Sequence, residues 1–149
     1  MYIWKAEAGP EQKINRTEWR NMKTLNELAP FFKSVLEQDR AAVVLCNLEH
    51  EIIYMNPAAD RNYAKQGGHE LLGKSLLNCH NKQSCEMIEK VVSWFAASRD
   101  NNLVYTFRNV KQNKDVYMVA LRDEDGTLIG YYEKHEYRDI ETMKLYDMQ

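Results

Sequence analysis

Cysteine is scarce in this sequence of 149 residues, which contains only Cys46, Cys79 and Cys85. An odd, widely spaced set of cysteines does not suit a disulfide framework and is more typical of a reducing compartment. The first residues, Met1–Lys5, lack the charged lead and the apolar block of a signal peptide. We therefore expect a cytoplasmic protein.

Long apolar segments and basic clusters are also missing. The longest apolar run, Ala41–Cys46, is far shorter than the roughly 20 residues that a membrane-spanning helix requires. The formal net charge is −2, and the sequence does not provide the concentrated lysine and arginine face that binds nucleic-acid phosphates. We therefore expect neither a membrane nor a nucleic acid as a partner.

Recognisable catalytic motifs are absent as well. The sequence has no Gly-x-Ser-x-Gly elbow, no phosphate-binding loop and no His-Glu-x-x-His pair. Cys79 and Cys85, with His80 and His69 nearby, do not have the short paired spacing that is typical of a structural zinc site. We expect a protein that is not an enzyme and that holds no structural metal.

What the sequence does contain is enough apolar material for one packed core. Hydrophobic residues make up 44% of the chain, and a single domain of this size buries roughly 70% of the surface of its unfolded chain. In a helix predicted over roughly 83–98, Cys85, Ile88, Val92 and Phe95 recur at three- and four-residue steps. Runs of branched and aromatic residues predict five strands, at 41–46, 51–56, 103–111, 115–122 and 127–137.

The two ends of the chain are predicted to be helical and to flank a domain at residues 39–138. In the N-terminal part, residues 1–38, Asn15 is expected to cap a helix that ends at Ala29, before Pro30, and a second helix follows. In the C-terminal part, residues 139–149, a short helix is expected over 139–147.

Trp19, Met22 and Leu25 form an apolar stripe on the first predicted helix. An amphipathic helix appended to a small domain must bury such a stripe. The sequence allows two interpretations. The stripe packs on the core of the domain, or it forms the surface of a homodimer.

Five short segments, in this order, resemble landmarks of the PAS domain over most of the chain. Ile53–Ala59 resembles the strand that runs into an Asn-Pro-Ala-Ala helix start, and Glu70–Ser75 resembles the Leu-Leu-Gly-Lys turn that follows it. Asn78–Ser84 is similar to a PAS subgroup that reads Cys-His-Pro-Pro-Lys-Ser at this place. Arg122–Gly126 resembles the hairpin into the last strand, and Arg138–Glu141 resembles the Asp-Ile-Thr end of the module.

The resemblance implies an α+β fold in which a five-stranded antiparallel sheet carries helices on one face, often with a small molecule enclosed between them. The ligand-binding residues expected at that position are Leu76, Leu77, His80, Ile88, Val92, Tyr105, Phe107 and Met118. The alternative is that these side chains fill the space completely, as in an ordinary core. The protein would then be a ligand-free interaction adaptor.

Haem and flavin are further alternatives, although the expectation is that no cofactor is bound. His80 is a candidate axial ligand, since a neutral imidazole binds haem iron. Asn78, Cys79 and Gln83 share the Asn-Cys-x-x-x-Gln skeleton of light-sensing flavin PAS domains. In those domains the cysteine bonds to the flavin.

PAS domains act as sensors or interaction modules, so the resemblance implies a function in signal transduction. No kinase, cyclase or DNA-binding segment follows the PAS-like region in these 149 residues, so we expect a stand-alone sensor whose output reaches an unidentified signalling protein in trans. A bound small molecule would change how the flanking helices at 17–38 and 139–147 pack. A homodimer is the expected form.

Overall fold

A computed structural model of the chain describes residues 24–148. The chain divides between Val35 and Leu36 into two compact units. The first described helix, α1 (Leu25–Gln38), begins in the first unit and ends in the second. Trp19, Met22 and the predicted cap at Asn15 lie outside the described residues.

The second unit is built on one antiparallel sheet. Its strands are β1 (Val44–Asn47), β2 (Ile52–Met55), β3 (Leu103–Asn109), β4 (Lys114–Arg122) and β5 (Leu128–Tyr137). They lie in the order β2-β1-β5-β4-β3, and all neighbouring pairs are antiparallel. The predicted α+β architecture with a five-stranded antiparallel sheet is confirmed.

Helices between β2 and β3 cover one side of the sheet, which we call the inner face. They are α2 (Pro57–Asn62), three short 3-10 helices (Ala64–Gln66, Gly68–Leu71 and Leu76–Cys79) and α3 (Lys82–Ala97). The apolar period of α3 buries Ile88, Val91 and Phe95 in one cluster with Ile52 and Met118 of the sheet. None of the described helices combines the length and the apolar character that crossing a bilayer requires.

Three hydrogen bonds between Thr24 and Glu27 set the start of α1. The Glu27 carboxylate accepts from the Thr24 amide at 2.6 Å, and the Thr24 hydroxyl accepts from the Glu27 amide at 3.3 Å, which together make a capping box. The predicted helix from Asn15 to Ala29 is not continuous, because Thr24 is not helical and α1 begins at Leu25; the part of that prediction before Thr24 lies outside the described residues. The predicted break at Pro30 is also wrong. Pro30 lies inside α1, where it removes one backbone donor without ending the helix.

The predicted C-terminal helix over 139–147 is not formed. The described residues after β5 have no helical structure, and Ile140 and Met143, the side chains expected on its apolar side, are 90% and 66% exposed. A helix this short is marginal unless tertiary packing supports it. Without an apolar surface beneath Ile140 and Met143, the segment stays irregular.

The predicted regular alternation of β3 is wrong, because the strand contains a β-bulge. Tyr105 pairs with Tyr117, but the next paired residue, Phe107, lies opposite Val116, so the register shifts at Thr106. An extra residue in one strand shifts the alternation, so the side chains after the bulge point to the opposite faces from those expected for a regular strand. Tyr105 and Phe107, predicted to share one face, therefore lie on opposite faces of the sheet.

The Arg122 guanidinium fastens the C-terminal end of α3 to the sheet. Its Nη2 donates to the carbonyl oxygens of Phe95, Ser98 and Asn101 at 2.8, 2.9 and 3.1 Å, and its Nε donates to Asn102 Oδ1 at 2.8 Å. The last carbonyls of a helix have no partners within the helix itself. Arg122 supplies such partners and holds α3 at a fixed place above β4.

Candidate functional site

A cavity of about 170 Å³ lies between the inner face of the sheet and the helices that cover it. For comparison, an apolar cavity of about 150 Å³ binds benzene. Residues from β1, β2, β4, β5, the segment after α2, and α3 form its walls. They are Val44, Cys46, Ile52, Met55, Tyr63, Gln66, Leu71, Leu76, Cys79, His80, Ile88, Met118, Tyr131 and Glu133. The side chains therefore do not fill this space completely.

The walls of this cavity are mainly apolar, with a few polar groups. Aliphatic and methionine side chains make up most of the lining, and the groups able to form strong hydrogen bonds come from Tyr63, Gln66, His80, Tyr131 and Glu133. Sites for small molecules typically combine such an apolar lining with a small number of placed polar groups. The composition fits a small ligand with an apolar body and a polar end.

A second space of about 340 Å³ lies beside the cavity, between α3 and β3, and we call it the groove. The exposed side chain of Met87 lies in its wall, so the groove is open to solvent. Four residues, His80, Ile88, Met118 and Glu133, line both spaces. They form the partition between the cavity and the groove.

The structure brings most of the predicted ligand-binding residues to these two spaces. Leu76 lines the cavity, Phe107 lines the groove, and His80, Ile88 and Met118 line both. Their role in binding a ligand stays a prediction.

Three of the predicted residues are placed differently. Leu77 and Val92 pack against the hydrophobic core and border neither space. Tyr105 borders the groove, but its hydroxyl donates to Asp115 Oδ1 at 3.1 Å and its ring lies 5.3 Å from that of Tyr117. Both partners belong to the outer face, which Tyr105 shares because it pairs with Tyr117 before the bulge.

Sequence reasoning missed the polar residues that β5 places on the inner face. Tyr131, Glu133 and His135 are two residues apart, so they project from the same face of the strand. The apolar residue Met118 lies opposite Glu133, and Val116 lies opposite His135. Alternation starting from Tyr131 could have identified Glu133 and His135 as inward-facing. Interpreting 127–137 only as the closing strand overlooked this signal.

Lys114, His135 and Glu133 form a hydrogen-bonded row, which we call the polar row. Lys114 Nζ lies 3.0 Å from His135 Nδ1, and His135 Nε2 lies 2.7 Å from Glu133 Oε1. Lys114 and His135 are only 3% and 8% exposed. Burial lowers the pKa of the Lys114 ammonium, and the negative charge of Glu133 opposes this shift. The row therefore links the buried Lys114 to Glu133 in the wall of the cavity.

A second polar contact involves Tyr131, which also lines the cavity. The Tyr131 hydroxyl is 2.8 Å from His50 Nδ1. Burial raises the pKa of Tyr131 and raises that of Cys46 to about 12. Both side chains are therefore neutral at physiological pH, and the Cys46 thiol is not activated as a nucleophile.

Tyr63 brings a hydroxyl to the helical side of the cavity. Burial and the nearby negative charge of Glu133 raise the pKa of Tyr63 to about 12. The phenol therefore stays protonated and can act as a donor or an acceptor toward a ligand.

Neither haem nor flavin fits this cavity. A volume that holds a single ring is too small for the four pyrrole rings of haem or the three fused rings of flavin. The exposed His80 has its Nδ1 2.9 Å from the Leu76 carbonyl oxygen. Of the flavin skeleton, Cys79 borders the cavity, whereas Gln83 borders the groove.

Solved structures with the same arrangement of strands and helices include two PAS domains. The PAS domain of a protein from Colwellia psychrerythraea is 13% identical, with a TM-score of 0.55 over 74% of this chain and 96% of that one. The PAS domain from Bordetella pertussis BvgS is 18% identical, with a TM-score of 0.53 over 77% of this chain and 89% of that one. A C-terminal domain from Streptococcus mutans is 17% identical, with a TM-score of 0.58 over 73% and 84%.

No family model matches the sequence, and no curated protein matches it. At the identities of these solved structures, the likeness establishes the fold and not the activity. The strand order, the antiparallel pairing and the position of the helices on one face agree with the fold of those PAS domains. Residues 36–148 therefore have the PAS fold.

Proposed function

We propose that this chain is a sensor module that binds one small, mainly apolar molecule in the cavity and signals through protein contacts. The observation that carries the proposal is the cavity of about 170 Å³ between the sheet and the helices. A tightly packed core leaves few voids larger than a water molecule. An apolar space that accommodates a single ring is favourable for a ligand of that size, because the ligand restores dispersion contacts that the walls lack.

Signalling requires that the ligand prefers one arrangement of the chain over another. Ile88 of α3 and Met118 of β4 both border the cavity and the groove. A ligand that occupies the cavity presses on this partition and so changes the position of α3 relative to β4. We propose that this change is conveyed to an unidentified signalling protein in trans.

Benzene should stabilise the protein if the cavity accepts a single ring. We expect saturating benzene to raise the melting temperature of the unmodified chain by a few degrees, since a ligand that binds only the folded state shifts the unfolding equilibrium. Ile88→Phe places a larger side chain in the wall and should abolish the increase. The measurement is thermal unfolding followed by circular dichroism, with and without benzene.

Ile53→Phe provides the matched control, because the same substitution occurs at an exposed position of β2. This variant should retain the full benzene-induced increase. Equal stabilisation of the Ile88→Phe variant would show that benzene binds elsewhere, and the absence of any increase in the unmodified chain would contradict the proposed cavity site.

The apolar face of α1 supports the homodimer that we propose as the form of the protein. Leu25, Leu28, Phe32 and Val35 recur at alternating steps of three and four residues, which is the pattern of a coiled-coil seam. Leu25, Phe32 and Val35 are each more than half exposed. A second copy of the same helix would cover these side chains in a two-fold pair.

Native mass spectrometry tests this pairing directly. The unmodified chain should be a dimer, and Val35→Glu should be mainly monomeric, because a charge buried in an apolar seam loses its hydration without gaining a partner. Lys33→Glu changes a neighbouring residue outside the seam and should remain dimeric. A monomeric unmodified chain would contradict the proposed dimer.

A further inference from the structure

The position of Glu133 adds chemical detail to the proposed ligand site, and the inference drawn from it rests on that proposed function. Glu133 borders the cavity as well as the groove, and its side chain is 36% exposed. Only Oε1 is bonded to His135; among the residues that the structure describes, Oε2 has no hydrogen-bond partner. The wall therefore presents a carboxylate oxygen that can still accept a hydrogen bond.

The polar row behind Glu133 balances its charge. Lys114 and His135 are linked by one hydrogen bond. When Lys114 is an ammonium that donates to a neutral imidazole, the two groups together carry one positive charge. With the negative charge of Glu133, the row is neutral overall. A ligand that binds beside Glu133 thus meets an acceptor whose charge is already paired.

We propose that the cavity selects a neutral single-ring or similarly small molecule whose O–H or N–H group donates a hydrogen bond to Glu133. Phenols, alcohols and neutral aromatic amines belong to this class. The apolar walls hold the body of the molecule, and the donor reaches Oε2. Lys114 and His135 act as positioning residues, because they hold Glu133 in place without lining the cavity.

The charge balance disfavours ionised ligands of the same size. A carboxylate ligand would meet Glu133 with a charge of the same sign. An ammonium ligand would add a positive charge to a row that is already neutral. Burying an unpaired charge is far more costly than burying a neutral donor that gains a hydrogen bond.

Four single-ring probes distinguish these classes in the full chain. Benzene has no donor, phenol has a neutral donor, and benzylammonium and benzoate carry opposite charges. We expect phenol to bind about tenfold more tightly than benzene, since hydrogen bonds to charged acceptors are among the stronger ones. Benzylammonium and benzoate should bind more weakly than benzene. The methyl signals of Ile88 and Met118 in NMR titrations report binding at the cavity wall.

Substitutions at Glu133 test the role of the carboxylate. Glu133→Leu should bind benzene and phenol equally, and Glu133→Gln, which keeps an acceptor but loses the charge, should show an intermediate preference. Glu136→Gln is the control, because Glu136 lies on the same strand but bonds to Lys134. The Glu136→Gln variant should keep the full preference for phenol over benzene. Two variants of different shape at Glu133 provide a test even if one does not fold.

The outcomes separate this inference from the proposed function. If benzene and phenol bind equally to the unmodified chain, the cavity is a ligand site and the role of Glu133 is refuted. Tighter binding of benzylammonium than of phenol would refute the selection of neutral molecules. If no probe, including benzene, shifts the methyl signals, the proposed cavity site itself is overturned, and the inference is overturned with it.

Discussion

Replacing Asn56 with alanine is expected to lower the free energy of unfolding by about 3–5 kcal/mol, because it removes hydrogen bonds and leaves buried backbone groups without partners. Asn56 is fully buried. Its Oδ1 accepts from the amides of Val43 and Ala59 at 3.0 and 2.8 Å. Its Nδ2 donates to the carbonyl oxygens of Ala41 and Leu36 at 2.9 and 3.0 Å.

One side chain thus joins three parts of the chain. It caps α2, fixes the segment before β1 and holds the end of α1 that belongs to the second unit. Total stabilities of small domains are about 5–15 kcal/mol, so the loss would remove a large part of the stability. Urea unfolding followed by circular dichroism measures it as a lower midpoint at a similar slope.

Asn56→Ser separates the contributions within this network. Serine retains the cap on α2 but cannot reach the other partners, so it should recover only about 1 kcal/mol relative to alanine. Asn78→Ala is the control, since Asn78 is exposed, and its effect should lie within about 0.5 kcal/mol of zero. A loss at Asn56→Ala no larger than that control would show that the network contributes nothing to stability.

Phe95→Ala is expected to lower the free energy of unfolding by about 3–5 kcal/mol through loss of apolar burial and creation of a void. Phe95 is fully buried on α3 and belongs to the same cluster as Ile88 and Met118, which border the cavity. Because the Phe95 side chain is fully buried, its removal leaves a void between α3 and the sheet. Chemical unfolding gives the magnitude, as for Asn56.

Phe107→Ala is the matched control for this substitution. Phe107 lies at the groove and is 48% exposed, so the same loss of a ring should cost less than half as much. Phe95→Leu should be intermediate, because it removes less volume. If Phe95→Ala and Phe107→Ala were equally destabilising, packing beneath α3 would not be the main support of the site.

Much of the fold could be predicted because its signals are local. The strands were identified from branched and aromatic runs, and α3 from the recurrence of Ile88, Val92 and Phe95. Local patterns were misleading where a few specific contacts, or their absence, decided the structure. Thr24 and Glu27 cap the start of α1 inside a segment whose apolar spacing predicts one continuous helix. Pro30, expected to end that helix, lies inside α1. Ile140 and Met143 have helical spacing, but both side chains are largely exposed, so no tertiary packing stabilises a helix there.

The candidate site was predictable only in part. Leu76, Ile88 and Met118 follow from apolar periodicity and the PAS resemblance, and the structure places all three at the cavity. Tyr105 was misplaced, because a bulge is one extra residue that no apolar pattern marks. Glu133 was overlooked, because polar residues in a strand are ordinarily assigned to the solvent-facing side.

The sequence by itself determined the order of the five strands along the chain, the apolar face of α3 and the helix start at Asn56-Pro57, since each depends on residues close together in the chain. Only the tertiary structure decided the shape of the cavity and the polar row. Lys114 reaches His135 because β4 pairs with β5 in one particular register. The cavity is the volume that separate elements leave between them, and such a volume depends on how all of them pack at once.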